Sequence, residues 1–140
     1  MKVLIDVNIF MDVLQAREGV RGSLKALSVL KVHREHQGFV AALTVPILYY
    51  LESQTHSDRE ARVNVQKILQ GVTIVDLTAG LIRLAFDEKR IPDFEDCIQY
   101  YSAKAVTCQV IITRNKKDFK NIELGVNTPE EFLAIVKAQR

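Results

Sequence analysis

Four short apolar runs, each separated from the next by stretches of helical period, constrain this chain more than any other feature. Lys2-Val-Leu-Ile5, Phe39-Val-Ala-Ala-Leu43, Val72-Thr-Ile-Val75 and Gln109-Val-Ile-Ile112 are too short for helices and do not alternate apolar with polar. A strand reads that way when both of its faces are covered. Between the runs, apolar residues recur at helical spacing: Phe10, Val13 and Leu14; Leu24, Leu27 and Leu30; Val65, Ile68 and Leu69; Leu81, Leu84 and Ala85; Cys97, Ile98, Tyr101 and Ala105. Punctuation agrees with them. Gly19 and Gly22 break the first helix, Gly38 stops the second, and Thr44 with Pro46 starts a third over about residues 45–54. Ser57-x-x-Glu60 and Thr128-Pro-Glu-Glu131 are capping boxes, and Thr78 and Asp93 are N-cap residues. Strands alternating with helices predict an α/β fold, a three-layer α/β/α sandwich around a parallel sheet.

The chain of 140 residues is 48% hydrophobic and has no linker or charge block, so residues 1–140 read as a single domain. No run approaches the roughly 20 apolar residues of a membrane span. Asp6 and Asp12 interrupt the apolar N-terminus, which therefore does not read as a signal peptide. Cys97 and Cys108 have no CxxC spacing and read as small core residues in a reduced, cytoplasmic setting. The net charge of +2 permits a nucleic-acid partner without indicating one. His33 and His36 lack the i, i+4 spacing of a zinc protease helix and read as a solvated helix end.

Ligands of such sheets bind outside the carboxyl ends of the strands, here Asp6, Thr44, Asp76 and Thr113 to Asp118. Asp6 ends the first strand and Asp118 lies in the loop after the fourth. Asp93 and Asp96 share a face in the first turn of the helix leading into that fourth strand. Each pair of like charges at 4 Å costs about 4 kcal/mol at an effective dielectric of 20. At neutral pH a hard divalent cation, Mg²⁺ or Mn²⁺, relieves that repulsion, and such an ion suits work on a phosphodiester.

Three motifs in this order resemble the PIN domain: Asp6-Val-Asn8, Asp93-Phe-Glu-Asp96, and Ile112-Thr-Arg-Asn115-x-x-Asp118-Phe119. The resemblance spans about residues 2–137. It implies strand order 3-2-1-4-5 and a Mg²⁺- or Mn²⁺-dependent ribonuclease, as in the toxins of type II toxin–antitoxin pairs. By position, Asp6, Asp96 and Asp118 match catalytic acids; Asp6 and Asp96 are expected as the principal metal ligands, with Asp118, Asn115 and, from its place on the same helix face as Asp96, Asp93 in support. Asn8 matches the residue that braces the first acid, and Thr113 the hydroxyl that orients the site. The resemblance also implies RNA as substrate, a homodimer and an antitoxin protein as partner.

Two positions depart from the family pattern. Ile47 stands where the second acid, a Glu in the first turn of helix three, is usual, and Asn115 where a fourth acid is. Glu52 lies about 140° around the helix from Ile47 and substitutes only if that helix is shifted. Losing two charges weakens a metal site and argues against a two-metal centre. The alternative reading is thus a PIN-like module that binds RNA and cleaves it poorly or not at all. Arg114, Lys116, Lys117 and Lys120, with Lys89 and Arg90 nearby, are expected to hold phosphates along a groove. Of Tyr49-Tyr50 and Tyr100-Tyr101, one member each is expected in the core.

Overall fold

A computed structural model describes residues 1–139. The chain runs β1 (Lys2–Ile5), α1 (Val7–Leu14), α2 (Val20–Val32), β2 (Gln37–Ala41), α3 (Thr44–Ser53), α4 (Asp58–Ile68), β3 (Val72–Val75), α5 (Ala79–Asp87), α6 (Phe94–Ala105), β4 (Val110–Ile112), β5 (Gly125–Asn127) and α7 (Pro129–Ala138). A 3₁₀ turn at Lys116–Phe119 lies between β4 and β5. The sheet has the order β3-β2-β1-β4-β5, every pairing parallel, as the resemblance implied.

Strand residues alternate between two cores. Val3, Ile5, Val40, Val110 and Ile112 face one layer, where Ile9, Phe10, Leu27, Leu30, Leu48, Val65, Phe132 and Val136 pack from α1, α2, α3, α4 and α7. Leu4, Phe39, Val75 and Ile111 face the other, against Leu81 and Ala85 of α5 and Cys97, Ile98, Tyr100 and Ala103 of α6. This two-sided burial is why β1 and β4 read as unbroken apolar runs. Each fully buried Val, Leu, Ile or Phe contributes about 1.5–3 kcal/mol.

Several boundaries differ from the sequence reading for local reasons. The second strand is Gln37–Ala41, not 39–43, because the chain turns at Ala42 and Leu43 into α3. Gly38 does not stop a helix; it lies within β2, where an added Cβ would meet Ile5 Cδ1 at 3.1 Å and Leu30 Cβ at 3.3 Å. β5 is three residues long, Gly-Val-Asn, and exposes part of each, so it leaves no apolar run to read. β3 is one edge of the sheet, and Thr73 and Ile74 are exposed on it. Leu24 and Leu84 point outward at 51% and 54% exposure, their helices burying Ser23, Ala26, Leu27 and Leu30, and Leu81 and Ala85, instead. His36 is buried edge-on against Phe132 rather than solvated. Tyr100 is core and Tyr101 half-buried, while Tyr49 is half-buried and Tyr50 exposed. Both thiols are buried, and desolvation pushes that of Cys108 up to about 12. No described helix is long and apolar enough to cross a membrane.

The segment that delivers α6 is pinned by charge. Arg90 Nη2 donates to Glu88 Oε1 at 2.7 Å and to the Tyr100 hydroxyl at 3.2 Å, and Nη1 reaches Glu123 Oε2 at 3.3 Å. Tyr100 and Lys104 donate to the other Glu123 oxygen. Arg90 is thereby part of the scaffold, not of a phosphate-binding rim. The Arg90 guanidinium holds Glu88 down to about 2, and Lys104 with Tyr100 does the same for Glu123. A carboxylate depressed in the fold stabilises it fully above its unfolded value near 4.5 and loses that contribution as pH falls toward 2. Urea midpoints measured from pH 6 down to pH 2 should therefore fall, and Arg90→Met should flatten that fall. Separately, Gly38→Val should cost about 1–3 kcal/mol in urea unfolding, the price of overpacking beside Ile5 and Leu30.

Candidate metal centre

The site lies at the carboxyl edge of the sheet, where β1 and β4 end side by side. Asp6 is the first residue past β1, and its backbone N–H still donates to Ile112 O of β4 at 3.0 Å. Its carboxylate is 4% exposed and accepts from Val7 N at 2.7 Å, Thr113 Oγ1 at 2.7 Å and Asn8 Nδ2 at 3.1 Å. It thus also caps α1. Burial raises the Asp6 pKa, and these hydrogen bonds oppose the rise. Thr113 Oγ1 in turn accepts from Asn115 N at 3.0 Å, and Asn8 Oδ1 accepts from Arg114 N at 3.2 Å. Asn8 and Thr113 therefore join the end of β1 to the loop after β4.

The second acid comes from α6. Asp93 is its N-cap and accepts from Asp96 N at 3.0 Å, which leaves Asp93 exposed and turns Asp96 toward the sheet, half-buried. Desolvation, and after it the fields of Asp6, Asp93 and Asp118, push Asp96 up to about 7. Asp118, half-buried in the 3₁₀ turn, acts on both Asp6 and Asp96. Asp96 thus feels Asp6, Asp93 and Asp118, and Asp118 also acts on Asp6. Among the described residues, no group of three His, Cys, Asp or Glu side chains stands close enough together to hold a metal ion. Mg²⁺ does not need such a group, because it keeps several waters and is commonly bound by one or two carboxylates. The donor chemistry is that of a hard divalent cation: Asp6 and Asp96 are carboxylates whose charged forms burial disfavours, and Asp118 adds a third carboxylate to the same field.

Other expected residues lie elsewhere. Asp76 is exposed beyond β3 and does not act on the central acids. Glu52 is buried at the far end of α3, where its carboxylate accepts from Asn64 Nδ2 at 2.9 Å, so it does not replace the acid missing at Ile47. Lys117 and Lys120 are exposed beside Asp118, and Lys116 reaches Glu131 at 3.0 Å. Arg114 does not fit the expected phosphate contact, because its guanidinium points into the protein and is bound there by Asp12, Gly19, Ser23 and Glu130. Gln99, one turn after Asp96, was not singled out in the sequence. It is buried and donates to Thr44 Oγ1 at 2.8 Å, bracing α6 against α3. Its polarity within an otherwise apolar helix face was the only signal.

Comparison with known proteins places the arrangement. A family model described as PIN domain matches residues 2–117. Ribonuclease VapC1 of Aquifex aeolicus is 24% identical over 136 residues, covering 94% of this chain and 92% of that protein. The crystal structure of VapBC2 from Rickettsia felis bound to a promoter DNA fragment contains a chain that superposes with a TM-score of 0.72 at 16% identity, covering 91% of this chain and 98% of that one. A toxin–antitoxin complex from Klebsiella pneumoniae gives a TM-score of 0.69 at 23% identity, over 91% of this chain and 97% of that one.

A carboxyl whose pKa is raised from 3.8 to about 7 favours the folded state less and less as pH climbs between those values. Without metal, Asp96→Asn should therefore raise the melting temperature at pH 8 more than at pH 5.5. Wild type should gain more stability from added Mg²⁺ at pH 8 than the variant does, as differential scanning calorimetry can measure.

Proposed function

The chain belongs to the PIN domain family, and we propose that it is a divalent-metal-dependent ribonuclease that hydrolyses RNA phosphodiesters. The convergence of Asp6, Asp96 and Asp118 on one sheet edge, with Asp96 pushed up to about 7, is the observation that carries this reading. Asp6 and Asp96 are the principal ligands of Mg²⁺ or Mn²⁺, with Asp118, Asp93 and Asn115 in support. Bound there, the cation supplies a lowered water pKa and a charge that offsets the one growing on the phosphodiester. The protein's own groups do the positioning. Thr113 and Asn8 hold the Asp6 carboxylate in one orientation, and the Asp93 N-cap fixes the first turn of α6 beneath Asp96. The exposed Lys117 and Lys120, with Lys116, lie where an RNA backbone would pass.

The relatives support an antitoxin as partner. The Klebsiella pneumoniae structure is a toxin–antitoxin complex, which supports a toxin role here with an antitoxin protein as inhibitor, and a homodimer is the form that the family resemblance implies. The cytoplasm is the compartment where such a substrate lies.

Ile47, half-buried in the first turn of α3, favours a second reading: an RNA-binding module whose metal centre is too weak for efficient cleavage. One assay separates the two. RNA cleavage with Mn²⁺ or Mg²⁺ should be abolished by Asp6→Asn and by Asp96→Asn, and preserved or raised by Ile47→Glu. RNA binding without cleavage, unchanged in Asp6→Asn, would establish the binding module instead. Cleavage that persists in EDTA and in both Asp variants would defeat the metal-dependent enzyme.

A further inference from the structure

Arg114 sits in the middle of the loop that closes the metal centre, between Thr113 and Asn115, yet its side chain turns away from the acids. A guanidinium has five N–H donors, and each meets an acceptor here. Nε donates to Asp12 Oδ2 at 2.9 Å; Nη1 to Glu130 Oε1 and Oε2 at 2.8 and 2.7 Å; Nη2 to Gly19 O at 2.7 Å and Ser23 Oγ at 3.1 Å. Those acceptors belong to α1, the α1–α2 turn, α2 and α7. Asp12 is 4% exposed and is held a second time by Ser23 Oγ at 2.7 Å. Two glycines clear the space. A Cβ at Gly19 would stand 2.9 Å from Arg114 Nη2, and one at Gly22 would stand 2.4 Å from Glu130 Oε1. Gly22, inside α2, is therefore a site of close approach rather than a helix break.

The same residue touches the metal centre through its backbone. Arg114 N donates to Asn8 Oδ1 at 3.2 Å, and Asn8 Nδ2 donates to Asp6 Oδ2 at 3.1 Å. The anchor, the loop backbone, the Asn8 amide and the Asp6 carboxylate thus form one continuous chain of hydrogen bonds. We infer that Arg114 is a positioning residue of the metal centre: its five-fold anchor fixes the loop at residues 113–118, so that the loop backbone locks Asn8 against Asp6. The inference rests on the metal-dependent reading of the site and makes Arg114, which its place in the loop beside Asp118 suggested as a phosphate contact, a scaffold residue instead. Lysine cannot reproduce the planar fork. Groups that orient a metal ligand from outside typically change metal affinity or activity about 10–100-fold when replaced.

Arg114→Lys and the milder Glu130→Gln, on the surface end of the anchor, test this in folded protein held well below its melting temperature. Mn²⁺ titration followed by electron paramagnetic resonance should show dissociation constants raised about tenfold or more in Arg114→Lys and less in Glu130→Gln. Loss of the signal in Asp6→Asn ties the titration to this centre. In RNA cleavage, kcat should fall with KM unchanged. A raised KM with unchanged Mn²⁺ affinity and kcat would make Arg114 a phosphate contact and overturn the inference. A lowered melting temperature with wild-type Mn²⁺ affinity and kcat would make it structural only and overturn it equally. The titration needs no RNA, so a wild type that binds Mn²⁺ and cleaves nothing defeats the ribonuclease reading while the Arg114 comparison still decides the inference.

Discussion

A carboxylate at the end of a strand covered on both faces loses most of its water, and Asp6 is in that position at 4% exposure. Such a charge needs compensation. Three hydrogen bonds, from Val7 N, Asn8 and Thr113, supply part of it. They do not balance the formal charge, and the fold then brings Asp96 and Asp118 into the same field. Evolution of a merely stable domain would remove that crowding, because replacing one acid with an amide relieves it. Stability surrendered at one edge of a well-packed sheet marks a candidate functional site, and it supports the divalent-cation reading proposed above.

The rest of the fold makes this tension tolerable. Leu4 and Ile111 on one face, and Ile5 and Ile112 on the other, are fully buried, so the ends of β1 and β4 cannot move apart to separate the acids. On the α6 side, the Arg90 network and the buried Gln99 brace keep the helix that carries Asp96 from sliding outward. On the α7 side, Arg114 does the corresponding work for the loop. The charged residues near the site thus divide by orientation. Arg114 and the partly exposed Arg90 are tied to several acceptors each, whereas Lys117 and Lys120 stay in solvent. That division follows from chemistry, since a planar five-donor fork suits a fixed cage of acceptors and a flexible ammonium suits a mobile backbone.

How legible this was in the sequence depended on whether a residue's role was set by its neighbours in the chain or across space. β1 and β4 were visible because burial on both faces leaves an unbroken apolar run, and both capping boxes were visible because their partners lie three residues apart. β5 was invisible in the residue pattern, since three residues pairing with one neighbour carry no period, and only the family resemblance implied a fifth strand. Gly38 and Gly22 looked like helix stops because the side chains that crowd them, Leu30 and Glu130, sit eight or more positions away. Asp6, Asp96 and Asp118 were found through strand ends and motif order. The direction of the Arg114 side chain was hidden, because three of its five bonds go to residues more than ninety positions earlier and two to Glu130, sixteen positions later.

The central proposal is that burial, and after it the neighbouring carboxylates, disfavour the charged form of Asp96, and that a divalent cation relieves this. Carboxyl-carbon NMR of metal-free protein through a pH titration tests it most directly. Asp96 should titrate near 7, and saturating Mg²⁺ should move its midpoint well below that value. An Asp96 that titrates like a solvent-exposed aspartate, and does so identically with and without Mg²⁺, would contradict the account.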